Sequence, residues 1–328
     1  MGQGSVPLSI LDLAAVGREE TIAESFAGSV ALARAAERGG YRRVWYAEHH
    51  NISSIASSAT AVLIAHVAAQ TETIRLGAGG VMLPNHSPLV IAEQFGTLET
   101  LHPGRIDLGL GRAPGTDQRT WMALRRDPQA SERFPQDVVE LQRFLGEESP
   151  LPGIKAIPGQ GTHVPLYILG SSLFGAELAA ELGLPYAFAS HFAPRYLHEA
   201  ITVYREGFKP SRQQASPYVI AGVGVIAAET EESAAAQFEA ARRIRARALF
   251  GRGRRLSDED VTSLLGSPQA AAVDEMLACT AVGLPGEVAA YLEKFAAETG
   301  ADELMTVHYS DSVPNRLRSV ELVASTYS

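Results

Sequence analysis

The sequence predicts a single (β/α)8 TIM barrel, an α/β fold with insertions, spanning residues 1–328. Short apolar runs of strand length alternate with longer segments whose apolar residues recur at helical spacing, and the alternation holds from end to end. Junctions from helix to strand repeat a glycine, as in Glu37-Arg38-Gly39-Gly40-Tyr41, Glu181-Leu182-Gly183 and Thr299-Gly300-Ala301, where a left-handed residue ends a helix. Eight such units favour closure into a barrel over an open doubly wound sheet, which needs a division into two halves that the pattern lacks.

The first strand is residues 7–11 (PLSIL), with a helix over 21–38 after it. The second, 43–47 (RVWYA), is aromatic and β-branched and precedes a helix over 57–70. The third, 74–82 (IRLGAGGVM), carries three glycines and leads to a helix over 89–101. The fourth and fifth, 106–110 (IDLGL) and 165–169 (PLYIL), are followed by helices over 131–145 and 174–182. The sixth and seventh, 186–189 (YAFA) and 218–227 (YVIAGVGVIA), are followed by helices over 194–206 and 231–248. A helix over 286–299 leads into the eighth, 303–308 (ELMTVH). Two stretches break the rhythm: residues 146–164, rich in Gly and Pro, and the region after the seventh helix, which opens on Arg252, Arg254 and Arg255. Residues 249–280 are the expected lid insertion, because long insertions in barrels cover the site or contact partners.

Composition narrows the function. The chain is 46% hydrophobic and 20% charged, ample for a large core. Twenty-eight Lys and Arg against 37 Asp and Glu give a net charge of −9, which argues against nucleic acid and anionic membrane surfaces as partners. A single cysteine, Cys279, builds neither a disulfide nor a thiolate metal cage. The uncharged stretch 51–71 is too rich in Ser, Thr, Asn and Gln to span a bilayer, and no basic leader opens the chain, so a cytoplasmic location is expected.

Barrel chemistry collects at strand C-termini. The second strand ends in Glu48-His49-His50, and alternation sends one imidazole to the mouth and the other to the helix side, so the pair suits no shared metal and no metal site is expected. His49 reads either as an acid/base group or as a hydrogen-bonded structural histidine. Gly79 and Gly80 leave room for a flat ligand or mark a bulge that curves the barrel. The fourth strand runs into Gly111-Arg112, a guanidinium suited to phosphate or carboxylate, or to a surface salt bridge. The fifth ends in Gly170-Ser171-Ser172 with Gly175 one turn on, which reads as a phosphate seat at a helix N-terminus or as plain N-capping. Asp12, Glu48, His191 and His308 are further polar groups near strand ends that periodicity does not rank.

In this order, residues 8–13 (LSILDL), 45–50 (WYAEHH), 76–88 (LGAGGVMLPNHSP), 101–117 (LHPGRIDLGLGRAPGTD), 169–172 (LGSS) and 316–322 (RLRSVEL) resemble the bacterial luciferase-like flavin-dependent monooxygenases, in particular their single-chain oxidoreductase branch. The resemblance covers nearly the whole chain and implies the same barrel. It also implies FMN in its reduced form as co-substrate, molecular oxygen as oxidant and a small organic substrate. His49 matches the family's active-site histidine, Gly79-Gly80 the place of a non-proline cis peptide behind the flavin ring, and Arg112, Gly170, Ser171, Ser172 and Gly175 the phosphate-binding positions. That seat follows strand five, whereas many barrels place theirs after strands seven and eight. A separate NAD(P)H-dependent flavin reductase and a homodimer through the second and third β/α units are expected on the same basis. The alternatives are a deazaflavin-dependent hydride-transfer enzyme and a flavin-binding protein without turnover. The substrate pocket is expected near Tyr41 to Tyr46, Phe188 and Phe192.

Overall fold

The computed structural model describes residues 5–113, 117–251 and 256–327. Eight parallel strands close into a barrel: β1 (Leu8–Asp12), β2 (Arg43–Tyr46), β3 (Arg75–Met82), β4 (Ile106–Gly111), β5 (Leu166–Gly170), β6 (Tyr186–Phe188), β7 (Val219–Ala227) and β9 (Glu303–His308), with β9 pairing back on β1. The helices named from sequence appear as α1 (Ile22–Arg38), α2 (Thr60–Ala68), α3 (Pro88–Leu101), α5 (Phe134–Leu145), α6 (Leu173–Leu182), α7 (Leu197–Gly207), α8 (Glu231–Phe250) and α11 (Pro285–Thr299). Thr21 starts α1 with a full capping box, and left-handed Gly183 and Gly300 stop α6 and α11, as the glycine junctions predict.

The sequence reading missed a ninth strand, β8 (Thr280–Gly283), and the helices α4 (Gln118–Ala123), α9 (Asp258–Leu265), α10 (Ala270–Met276) and α12 (Val313–Ala324). The strand was missed because it is four residues long. It exists because β6 is only three residues long against nine in β7. β6 pairs with β7 at residues 219–221, and β8 takes up the same edge at residues 224–227. The C-terminal helix α12 seals the ring, with Arg316 donating to the Ala15 carbonyl at 3.1 Å and approaching Asp12 at 3.5 Å.

Three apolar clusters result. The largest lies between the barrel and its helices. A second fills the barrel with Trp45, Tyr167, Ala187, Ile220 and Met305, which alternation turns inward. The third joins Ala246 of α8 to Leu256, Val261, Val273 and Leu277, so the described part of the 249–280 insertion is a helical pair docked on α8. Arg252, Arg254 and Arg255 lie outside the described residues. Residues 146–164 pass over α3 so closely that a Cβ on Gly96 would fall 2.1 Å from the Gly159 Cα. No helix among the described residues is long and apolar enough to cross a membrane.

Candidate active site at the barrel rim

Beyond β2, the chain places a buried carboxylate at the centre of a histidine pair. Glu48 is 1% exposed; its Oε1 accepts from Nε2 of His50 at 2.9 Å and from Nε2 of His86 at 2.8 Å, and its Oε2 accepts from the Met82 N–H at 3.1 Å. Burial works against the charge, but these hydrogen bonds and the positive character of His86 outweigh it and hold the carboxyl down to about 2. His50 therefore turns back into the β2–β3 wall. The neighbouring His49 lies on the other side, close enough to His191 to bear on its protonation, which is the division that alternation predicts.

Glu48→Gln is expected to lower stability by about 3 kcal/mol at neutral pH. The folded pKa lies below the ordinary 4.5, so the contribution is complete above that value and is lost as pH falls from about 4.5 towards 2. Urea unfolding of both proteins across that range measures it, and a gap that persists at pH 2 would contradict the assignment.

At β3, the bulge reading and the resemblance meet in one place. Ala78 pairs with Leu108 and Val81 with Leu110, so three steps on β3 face two on β4, and the Gly79–Gly80 peptide in between is cis. A Cβ on Gly80 would fall 2.6 Å from the Gly109 carbonyl oxygen, and one on Gly79 would fall 2.7 Å from Leu11 Cδ1 and 2.9 Å from Trp45 Cβ. Only glycine fits either position.

Next along the rim, Arg112 follows β4 and its guanidinium lies 4.1 Å from the centroid of the Phe174 ring. Phe174 is in the first turn of α6, so the structure brings Arg112 to the Ser171-Ser172 turn from the adjacent strand. Ser172 is the N-cap residue of α6, yet its side chain accepts no bond from the first turn, which leaves those N–H groups uncapped by a side chain. Tyr186 anchors the turn, its hydroxyl donating to the Ser172 carbonyl at 3.1 Å, and the Cα of Gly175 sits 3.4 Å from where a Cβ on Gly170 would be. Arg112 has no carboxylate within ion-pair distance among the described residues, so the salt-bridge alternative has no partner there.

Two of the unranked groups face outward and not into the mouth. Asp12 accepts from the Ala14 N–H at 2.9 Å and from the Ser29 hydroxyl, and His308 bonds Ser319 of α12 at 2.8 Å. Both join barrel to helices. Burial and the charge of Arg316 push His308 down to about 3, so its imidazole is neutral. The aromatic residues divide likewise: Tyr41, Tyr46 and Phe188 are core, and Phe192 packs edge-on against His191 near the rim, 4.9 Å between ring centroids. Among the described residues no group of three or more His, Cys, Asp or Glu is placed to hold a metal ion. Sequence reasoning missed Tyr309 and Arg245, which sit beside His191. Tyr309 directly follows β9, so the strand-end rule applied one residue further would have found it; nothing local marks Arg245 among the arginines of α8.

A family model described as luciferase-like monooxygenase matches residues 6–303. The chain belongs to the luciferase-like monooxygenase family. A luciferase-like monooxygenase of Escherichia coli is 46% identical over 325 residues, 98% of this chain and 97% of that one. The crystal structure of apo-MsnO8 matches with a TM-score of 0.86 and 38% identity, covering 98% of each chain. Two more distant structures share the barrel. One is the oxygenating constituent of 3,6-diketocamphane monooxygenase from Pseudomonas putida in complex with FMN, at TM-score 0.70 and 19% identity over 98% of this chain and 97% of that one. The other is an F420-dependent secondary alcohol dehydrogenase, at TM-score 0.72 and 16% identity over 99% of each chain. One of these barrels is in complex with FMN and the other is F420-dependent, so the shared fold alone does not name a cofactor.

Proposed function

We propose that this luciferase-like protein binds reduced FMN and uses molecular oxygen to oxygenate a small organic substrate. The observation that carries the reading is the cationic seat at the ends of β4 and β5. Arg112 is laid on Phe174 beside a helix start without a side-chain cap, a donor set that fits a phosphate monoester. The Gly79–Gly80 wall, where any Cβ would collide, fits the close approach of a flat heterocycle. When bound, reduced FMN supplies the two electrons that divide dioxygen between substrate and water. Arg112, Ser171, Ser172 and the Gly170–Gly175 contact hold the phosphate; His49 holds or moves a proton at the mouth. Reduced flavin comes from a separate NAD(P)H-dependent reductase, and two copies associate through α2 and α3, where Val62 and Val90 are exposed.

The test is an anaerobic titration of the protein with reduced FMN, oxidised FMN and a deazaflavin, followed by mixing with oxygenated buffer in the presence of candidate substrates. Binding of deazaflavin alone replaces oxygen chemistry with hydride transfer, and flavin binding without turnover leaves a flavin carrier. Arg112→Met is expected to weaken FMN binding by about 2 kcal/mol, roughly thirtyfold in Kd, and to leave riboflavin, which lacks the phosphate, within twofold. Equal loss for both ligands would place Arg112 away from the phosphate.

A further inference from the structure

The second half of α8 carries four arginines in unlike surroundings. Arg242 is paired with Glu239 and Asp274, and Arg243 and Arg247 with Asp258. Among the described residues Arg245 alone of the four has no carboxylate within ion-pair distance. Its Nη2 donates to the Tyr309 hydroxyl at 3.0 Å, and its guanidinium lies over the same ring, 5.2 Å from the centroid. The Tyr309 hydroxyl donates in turn to the His191 carbonyl at 2.7 Å. This chain ties a helix outside the barrel to the strand ends of β6 and β9.

His191 closes this chain beside the barrel mouth. It is 8% exposed, and its Nδ1, aimed at the backbone of Gly222, has no hydrogen-bond partner. Burial first, then the charges of Arg245 and His49, push its pKa down to about 3, so the ring is neutral and does not compete with Arg245 as a cation. A partly buried guanidinium without counter-charge, held by Tyr309 at the rim where His191 feels both its charge and that of His49, is set to receive an anion from a ligand. That anion is not the proposed flavin phosphate. In the ring β1-β2-β3-β4-β5-β6-β7-β9, the strands leading to Arg112 (β4) and Tyr309 (β9) stand opposite each other.

We infer that Arg245, oriented by Tyr309, binds the carboxylate of the substrate, so that the substrate class is organic acids and not neutral alkanes, aldehydes or free amines. The inference deepens the flavin reading and rests on it. Two measurements read them apart: FMN affinity by quenching of flavin fluorescence, and ligand affinity by calorimetry with and without saturating FMN. The probes are hexanoate and its uncharged isostere hexanamide. Hexanoate is expected to bind the wild-type protein about tenfold or more tightly than hexanamide. Arg245→Met removes that preference, Arg245→Lys keeps most of it, and Tyr309→Phe weakens hexanoate several-fold, with FMN affinity within about twofold in each. Equal binding of the two probes by the wild type, no measurable binding of hexanoate, or a preference that survives in Arg245→Met overturns the inference. Loss of FMN affinity in Arg245→Met also overturns it, by making Arg245 a cofactor residue. Should Arg245→Met not fold, the same preferences in Arg245→Lys and Tyr309→Phe decide. Failure of the flavin reading appears in the FMN measurement alone.

Discussion

Replacing His49 by alanine is expected to leave folding and FMN affinity within a few-fold of wild type while lowering turnover by about a hundredfold to ten-thousandfold, the usual worth of a positioned acid or base. The His49 backbone N–H holds the rim loop to the Ser57 carbonyl at 2.9 Å, and that bond survives loss of the side chain. His50 is the built-in control. Its imidazole serves the buried Glu48 carboxylate, so His50→Ala is expected to cost stability before turnover. Steady-state oxygenation, FMN titration and Tm on both variants separate the roles. Unchanged turnover in His49→Ala, or failure of that variant to fold, would return His49 to the structural reading.

How much of this was legible in the sequence follows from how local each signal is. Strand runs and helix-stopping glycines are local, so the barrel and all eight of its closing strands were readable, whereas β8 is a short strand whose place depends on β6 leaving an edge of β7 free. The alternation of His49 and His50 was legible because it needs only the two-residue period of extended chain. Gly79-Gly80 was legible as a position where side chains are excluded, but what excludes them, the Gly109 backbone and the Leu11 and Trp45 side chains, comes from three other strands. The sequence left Ser172 open between capping and ligand binding, and the structure shows a serine at the N-cap position that does not cap. Arg245 was invisible: what singles it out is a hydroxyl 64 residues away and the missing acid that its neighbours have.

Arg43→Met is expected to destabilise the protein by about 3–5 kcal/mol, a large share of the roughly 5–15 kcal/mol typical of a folded domain. Arg43 is 1% exposed inside the N-terminal end of the barrel, where alternation stacks it beneath Trp45 on the same strand face. Nη1 donates to Asp107 Oδ2 and to the Tyr167 hydroxyl, each at 2.7 Å, Nη2 donates to Glu303 Oε2 at 3.1 Å, and Nε stands 2.9 Å from Glu303 Oε1, off the line of a hydrogen bond. Both carboxylates are fully buried. Arg75 still reaches Asp107, Tyr218 donates to Glu303 at 2.7 Å and the half-exposed Arg42 stays 3.8 Å from Glu303, but this longer, solvated contact does not replace the buried guanidinium. The loss therefore comes chiefly from a buried carboxylate that keeps only a distant, half-exposed cation in place of a buried one. It follows that Arg43→Met combined with Glu303→Gln costs less than the sum of the two single changes, because the second removes the charge the first has stranded. This end of a barrel serves stability while the opposite end carries the chemistry, so the folded fraction of Arg43→Met is expected to keep the wild-type FMN affinity. Denaturant unfolding with FMN titration on the single and double variants measures both effects; additive losses, or a selective loss of flavin binding at unchanged stability, would show that Arg43 acts on the site and not on the barrel.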